Sequence, residues 1–565
     1  MTGVAPDVRR AAPTEPGGGG GSAVGRAPRV LSDAAVFAAA VATAAGAWWA
    51  HPFGEASGWA VAAAAVVVAG ALAWRRPALL CAGLVVLASV LAARSWDGLR
   101  TAPTSGRVAG VATLVTDPVD VRGGVRAEVR LGGRRYEAWA YGRRAAALRG
   151  AEAGDRVMVS GRRAPLSGLR RSYLLRRHVG ARLRIDTAHP RDDGASPARF
   201  ANAVRDVLRH GTASFPEGQQ AMFAGIVLGD DRGQPEGMVQ DFRDAGLSHL
   251  LAVSGQNVAF VLALASPLLL LLPLRPRLVV GLLVLAFFGV MTRWEPSVLR
   301  AEAMAAVGLA TTTAGRPVSS IRGLSLALAA LLLVDPLLVG SVGFLLSATA
   351  CLGLVLLTPW LTARGLPLAV AVTVAAQLGV APVLLPVFGG LPVVSTPANL
   401  LAVPVSGPLM MWGMAAGLAA GILGGGAAAV LHAPTRLMLA WVEGVAHHAA
   451  GLGLGAFGAV HVVLLAAAVL VASGARTSPR RRALGAVAAL VVGVVAAVPP
   501  CRFSPCASAS ATGPTTSPPV RWSWASSTGP ATPSTTRAPT STWTPSCPGP
   551  SSSWPRAPTS STSAG

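Results

Sequence analysis

Between His249 and Pro499 the chain carries only four acidic residues, Glu295, Glu302, Asp335 and Glu443, while its twelve arginines gather mostly in short connectors between long apolar runs. Ionised side chains are expensive inside a hydrocarbon layer, so this pattern fits a chain that crosses a membrane many times. The runs fall near 249–273, 278–292, 297–314, 323–339, 341–359, 366–388, 397–424, 430–450, 455–473 and 483–499. Earlier runs at 34–50, 58–74 and 77–93 bring the expected total to roughly 11–13 helices. Arg275 and Arg277, Arg316 and Arg322, Arg364, Arg436, and Arg476 with Arg480, Arg481 and Arg482 fall on alternate sides, as the positive-inside rule requires. Prolines 397, 404 and 408 predict a discontinuous helix over 397–424, and Arg436, Glu443, His447 and His448 place 430–450 on the membrane surface.

The remaining segments differ in kind. Residues 1–30 are rich in Gly, Pro and Arg and read as a disordered tail. The first apolar run is too far from the start and too closely followed by others for a cleaved signal peptide. Residues 31–99 then supply three spans, with Trp48, Trp49, Trp59, Trp74 and Trp96 near their ends. Arg75 and Arg76 mark a cytoplasmic turn, which puts the N-terminus in the cytoplasm and residue 100 outside.

Residues 100–190 change to short alternating segments at 108–115, 125–131, 136–141, 156–160 and 181–185, with Gly-Gly turns at Gly123-Gly124 and Gly132-Gly133. Five short strands of this kind suggest a small extracytoplasmic barrel of OB-like form. Arginines outnumber acids here, and Arg134, Arg135, Tyr136, Trp139 and Tyr141 make a candidate stacking platform for single-stranded nucleic acid. A solvated β domain packed on the membrane part is the simpler alternative. The net charge of +23 suits either nucleic acid or anionic lipid, and all 48 basic residues are arginine.

Residues 195–248 read as amphipathic helices, with Phe200, Val204, Val207 and Leu208 at helical spacing, as are Met238, Phe242 and Ala245. Between them, the Asp230/Asp231 pair either binds a metal or, as the favoured reading, caps the following helix.

Four polar constellations interrupt the competing apolar runs of 249–499. Ser254-Gly255-Gln256-Asn257, just after His249, reads as a conduit lining in which amides meet a passing polar polymer, against the alternative of a helix–helix hydrogen bond. In Trp294-Glu-Pro-Ser-Val-Leu-Arg300-Ala-Glu302, Arg300 lies within a turn of Glu295 and Glu302, either as a structural ion pair or facing phosphates. The lone Ser347 of Gly343-Phe-Leu-Leu-Ser347 reads as packing. Gln377 followed by Ser395-Thr-Pro-Ala-Asn399, between prolines, suggests freed backbone groups lining a cavity. No catalytic residue and no metal site is expected. His249 and Ser254 are five positions apart, on different faces of a helix, with no acid to orient them. Cys81 and Cys351 read as inert apolar-core residues, and no disulfide framework is expected.

Taken together, Ala245-Gly-Leu-Ser-His-Leu-Leu-Ala-Val-Ser-Gly255, Pro296-Ser-Val-Leu-Arg-Ala301, Gly343-Phe-Leu-Leu-Ser347 and Pro397-Ala-Asn-Leu400 resemble, in order and spacing, the motifs of the ComEC family of bacterial competence proteins. The resemblance covers roughly residues 30–499. It implies an outward OB-like domain, a polytopic competence domain in the cytoplasmic membrane, and passage of single-stranded DNA into the cytoplasm during natural transformation. It also implies a DNA receptor and a cytoplasmic helicase-like ATPase as partners beside membrane lipid, and it leaves self-association into a homo-oligomer open. No cofactor is expected, and the chain has no Gly-x4-Gly-Lys-Ser/Thr loop for a nucleotide.

Two departures stand out. The family usually has a histidine shortly after the Ser-Gly pair, where this chain has Gln256-Asn257. Many members also carry a metallo-β-lactamase-like nuclease domain, whose His-x-His-x-Asp-His cluster has no counterpart here. The expectation is therefore a translocation channel rather than an enzyme. Residues 500–565 form a Ser/Thr/Pro-rich tail without acids, read either as a disordered extension or as a shifted reading frame. A small-solute secondary transporter and an intramembrane hydrolase are the alternatives from other classes.

Overall fold

The computed structural model describes residues 31–49, 58–74, 76–101, 104–121, 123–168, 170–191, 196–316 and 318–458. The tails at 1–30 and 500–565, the run at 483–499, most of the run at 455–473, and Cys501, Cys506 and Cys547 lie outside the described residues.

Three apolar helices open the chain: α1 (Asp33–Trp49), α2 (Gly58–Ala73) and α3 (Pro77–Arg100). Pro77 starts α3 without losing a helical bond, since the first N–H groups have no intrahelical acceptor.

The next segment is a sheet of β1 (Gly106–Leu114), β2 (Val119–Val121), β3 (Gly124–Leu131), β4 (Arg134–Tyr141), β5 (Arg156–Ala164) and β6 (Val179–Arg191), with α4 (Ala146–Arg149) and α5 (Arg171–Arg176) in its connections. All five strands expected from alternation are present, and β2 is an addition too short to read from pattern. The pairings run β1–β5–β6–β4–β3 and return to β1 through Ala112–Leu131, so these five strands form a cycle. Only β4 and β6 run parallel. Alternate residues, among them Leu114, Val125, Val129, Tyr136, Ala138, Val157, Leu183 and Ile185, fill its interior.

The helical part continues with α6 (Ser196–Gly211), α7 (Glu217–Phe223) leading into a π-helical turn at Ala224–Leu228, and α8 (Glu236–Asp244). After a short 3-10 turn at Ser248–Leu250 come α9 (Gly255–Leu270), α10 (Leu274–Met291), α11 (Pro296–Thr313), α12 (Ser320–Val334), α13 (Val342–Thr362) and α14 (Leu368–Phe388). A two-residue strand, β7 (Leu391–Pro392), precedes α15 (Ser395–Leu423), α16 (Gly425–Leu431) and α17 (Ala433–Gly451), and pairs with β8 (Ala456–Phe457). Among the described residues five helices, α3, α10, α13, α14 and α15, are long and apolar enough to cross a membrane, and α1, α2, α9 and α12 are shorter apolar helices. The protein is a mostly helical, multi-pass membrane protein with a β-sheet region near its N-terminus.

One expectation needs correction. Residues 397–424 are not a discontinuous helix. Residues 397–423 lie within one helix of 29 residues that Gly424 ends, with Pro404 and Pro408 inside it. Packing on α6, α9, α14 and α17 holds it together where two backbone bonds are lost. Residues 430–450 are not among the helices long and apolar enough to cross a membrane, and they pack on the bundle by one face. α17 buries Leu439, Val442 and Ala446 in the same core as α8 and α15, and turns Arg436, His447 and His448 outward.

The helix α12 is tied at both ends. Arg322 pairs with Asp33 at 2.7 Å at its start. At its other end Asp335 takes His178 Nε2 of the β-sheet region at 3.0 Å, and Arg176 donates to the Gly340 carbonyl. The start of α1 and the sheet therefore sit at opposite ends of α12.

Candidate functional site: helix termini that gather the motif residues

The first residues of α9 follow directly from Ser254, whose hydroxyl does not cap the helix but donates to Asn257 Oδ1 at 3.3 Å. The Ser-Gly-Gln-Asn cluster thus lies at a helix N-terminus and not within a span. Asn257 is buried and donates through Nδ2 to the Ile226 carbonyl at 2.8 Å, a carbonyl of the π-helical turn. Gln256 is exposed, Ser254 and Gly255 half-buried, and His249 exposed in the preceding 3-10 turn. Ser297 of α11 donates to the Val253 carbonyl at 3.2 Å, which brings the starts of α9 and α11 together. Gly255 allows a close approach there: a Cβ at this position would stand 2.6 Å from Arg300 Nη2 and 3.1 Å from Ala301 Cβ.

Arg300 is 5% exposed. It donates from Nε to Ser347 Oγ at 2.8 Å and from Nη1 to Cys351 Sγ at 2.9 Å and Met304 Sδ at 3.4 Å. Among the described residues it makes no ion pair, which corrects one of the two readings of this motif. Residues two apart on a helix point to different sides, and Glu302 turns toward α10, where a Cβ on Gly289 would be 3.0 Å from its Oε1. Glu295 is the cap position of α11 and makes no side-chain cap bond. Ser347, read as mere packing, is instead an acceptor for Arg300, and Cys351 is another.

A second convergence joins α14, α15 and the turn after α8. Gln377 Nε2 donates to Ser395 Oγ at 3.0 Å, and Thr396 Oγ1 donates to Gln377 Oε1 at 2.7 Å. Gln377 is near the middle of α14, so α15 begins at half its depth. Asn399 is buried and donates to the Ser395 carbonyl at 2.7 Å and to its hydroxyl at 3.2 Å. Gly246, at φ +70°, lies so close that a Cβ would be 2.5 Å from Ser395 Oγ. Gln377→Ala removes both bonds and leaves hydroxyls behind; we expect about 1–3 kcal/mol of lost stability, read as a lower midpoint in thermal unfolding. An unchanged midpoint would show the α14–α15 bonds to be dispensable.

On the β domain, Tyr136 is 4% exposed and belongs to the sheet interior, so its ring is not offered to a ligand. The strand alternates, and Arg135, Trp139 and Tyr141 share the other face. Trp139 and Tyr141 stack with centroids 6.2 Å apart and planes at 19°. The guanidinium groups of Arg126 and Arg182 lie 5.9 and 5.4 Å from the Trp139 ring. Tyr141 and Arg134 are exposed. Glu128 and Glu137 stand opposite one another in register, a repulsive pairing that Arg177 (2.8 Å) and Arg182 (3.1 Å) relieve.

The site that the sequence did not reveal is ionic. Arg205, fully buried on α6, donates to the Leu228 and Met291 carbonyls at 2.9 and 2.7 Å, to Asp117 at 3.0 Å and to Asp230 at 3.3 Å. Arg293, between α10 and α11, grips Asp117 at 2.8 and 3.1 Å and Asn202 at 2.8 Å. Arg209 meets Glu152 at 2.5 Å and Asp230 at 3.0 Å, and Arg232 meets Asp230 at 2.6 Å. Asp230 therefore neither binds a metal nor caps α8, whose cap position is Pro235. Burial alone would raise the Asp230 and Asp117 carboxyls; Arg232, Arg205 and Arg209 around the first, and Arg293, Arg205 and Arg232 around the second, hold both below the ordinary carboxylate value. Burial, and then Arg293, bring Arg205 down to about 10. Asp231, outside these pairings, is raised by burial and by Asp230. Among the described residues no group of three or more His, Cys, Asp and Glu is placed to hold a metal.

The profile of the family described as Competence protein matches residues 226–496, from the π-helical turn that receives Asn257 onward. This stretch belongs to the competence-protein family. The competence region holds both convergences of motif residues, with Ser254, Arg300, Ser347, Gln377 and Asn399 inside it. The chain is similar to the uncharacterized protein YcaI of Escherichia coli (strain K12), at 32% identity over 203 residues, 33% of this chain and 27% of that protein. It is similar also to ComE operon protein 3 of Bacillus subtilis (strain 168), at 27% identity over 240 residues, 41% of this chain and 30% of that protein. The chain thus spans less than a third of the length of these curated relatives. No solved structure matches.

Proposed function

We propose that the protein is a membrane channel that passes single-stranded DNA into the cytoplasm during natural transformation, acting by translocation and not by catalysis. The observation that carries this reading is the competence-family match, within which motif residues up to about 150 positions apart in sequence come together at the starts of α9, α11 and α15. Helix starts inside a bundle present free N–H groups to polar cargo. Exposed Gln256 and His249, with the half-buried Ser254 and Gln377, face the cargo; buried Asn257 and Asn399 hold the helix starts in place.

The strand cycle, with a helix between β4 and β5 and a parallel β4–β6 pair, supports an OB-like barrel. In this reading the barrel stands outside, receives DNA from a receptor protein, and offers Trp139, Tyr141 and the surrounding arginines to unpaired bases. The N-terminus, at the other end of α12, lies in the cytoplasm, where a helicase-like ATPase supplies the drive.

Deleting the gene and following labelled DNA tests this. Cytoplasmic uptake should vanish and return when the full chain is supplied; uptake that survives deletion sinks the reading. Trp139→Ala should weaken binding of a single-stranded oligonucleotide by about 1–3 kcal/mol per stacked base, measured by fluorescence anisotropy, with duplex DNA affected less.

A further inference from the structure

The Arg300 guanidinium is a cation enclosed by α9, α11 and α13, and its acceptors are a hydroxyl, a thiol and a thioether. None of these neutralises it, and among the described residues it has no carboxylate within ion-pair distance. Burying a lone guanidinium in a membrane bundle is costly unless an anion or water meets it. Its third nitrogen, Nη2, makes no hydrogen bond among the described residues, and it points at the first residue of α9, where only the missing Cβ of Gly255 leaves room.

That helix end is itself positive. α9 is 16 residues long, its cap residue Ser254 spends its hydroxyl on Asn257, and the Gly255 and Gln256 N–H groups have no acceptor among the described residues. A helix start carries roughly half a positive charge, so a cation placed there is repelled. Two positive groups pressed together without an anion form an incomplete arrangement, and the same geometry is that of an anion site. Gln256, the second residue of the helix, is exposed, so this end is reached from solvent.

We propose that Arg300 Nη2 and the N–H groups of Gly255 and Gln256 form a phosphodiester-binding site, one that holds a backbone phosphate of the strand as it passes. The proposal rests on the channel reading above and adds to it the group that the site recognises. Ser347 and Cys351 serve as positioning residues: they fix the guanidinium plane without cancelling its charge, so its attraction for phosphate is kept.

The test uses the full chain in maltoside micelles, which carry no phosphate, with a fluorescent oligothymidylate titrated over a range of salt concentrations. Arg300→Gln should lower affinity at low salt about ten-fold and reduce the salt slope by about 0.7, the share of one phosphate on a single strand. Arg300→Lys should keep the slope. An oligonucleotide with an uncharged methylphosphonate backbone should bind wild type and Arg300→Gln equally. In the wild-type chain, bound oligothymidylate should also slow maleimide labelling of Cys351 while leaving Cys81 unchanged, a measurement that needs no variant to fold. An unchanged slope, equal losses for charged and uncharged backbones, or unprotected Cys351 overturns the site and leaves the channel reading standing. A slope difference that disappears when phosphatidylglycerol is added assigns Arg300 to a lipid headgroup and also overturns it. Wild type that binds no oligonucleotide at all overturns the channel reading itself.

Discussion

Arg205→Met is expected to destabilise the protein by about 3–5 kcal/mol, the usual cost of removing one member of a buried ionic network. The side chain is fully buried and bridges four partners: Asp117 after β1, Asp230 before α8, and the carbonyls of Leu228 and Met291. Methionine fills the volume but leaves two carboxylates and two carbonyls short of a donor. Thermal unfolding followed by tryptophan fluorescence reads the loss, and a midpoint within error of wild type would rule out a structural role for the network. The pH dependence has a definite sign. Asp117 and Asp230 have folded values below their unfolded ones, so their contribution is complete above the ordinary carboxylate value near ~4 and drains away as pH falls beneath it. Wild type should lose stability in that acid range, and Asp230→Asn should lose it at neutral pH and depend less on acid.

Gly421→Val should have the next largest effect. α6 and α15 touch backbone to backbone: a Cβ on Gly421 would meet the Val207 carbonyl, with its carbon at 2.7 Å, and a Cβ on Gly211 would be 2.6 Å from the Gly417 carbonyl oxygen. A carbonyl cannot rotate away as a side-chain tip does, so the helices must part. Overpacking of this kind costs about 1–3 kcal/mol and sometimes more, and here it also drags on Arg205, two residues from Val207 on α6. Faster tryptic cleavage at Arg199 or Arg209, with a lowered unfolding midpoint, would report the loosened helix. Wild-type cleavage rates would mean that α15 shifts without releasing α6.

The strands were legible because a one-sided sheet writes its burial as strict alternation, and paired glycines mark its turns. β2 escaped because three residues are too few for a period. Tyr136 was assigned to a binding face with Trp139, yet residues three apart on a strand face opposite ways, and parity alone separates them. The ionic network was hidden for a different reason: Asp117 lies 88 residues from Arg205 and 176 from Arg293. Its one local trace was Arg205 itself, which interrupts the buried stripe of Ala201, Asn202 and Leu208 on α6. The motif residues were found as a set, but their division between exposed Gln256 and buried Asn257 depends on where α9 starts, and neighbouring elements decide that.

Arg293 and Trp294 have φ angles of 60° and 56°, a left-handed conformation unfavourable for side chains with a Cβ. The fork of Asp117 on Arg293 holds this elbow at the head of α11, across a sequence separation of 176. So long a loop closes late, after local helices have formed. The course of the segment bearing Pro296–Ala301 therefore depends on a carboxylate that follows β1, and a bundle without the β-sheet region would lack the Asp117 hold on the head of α11.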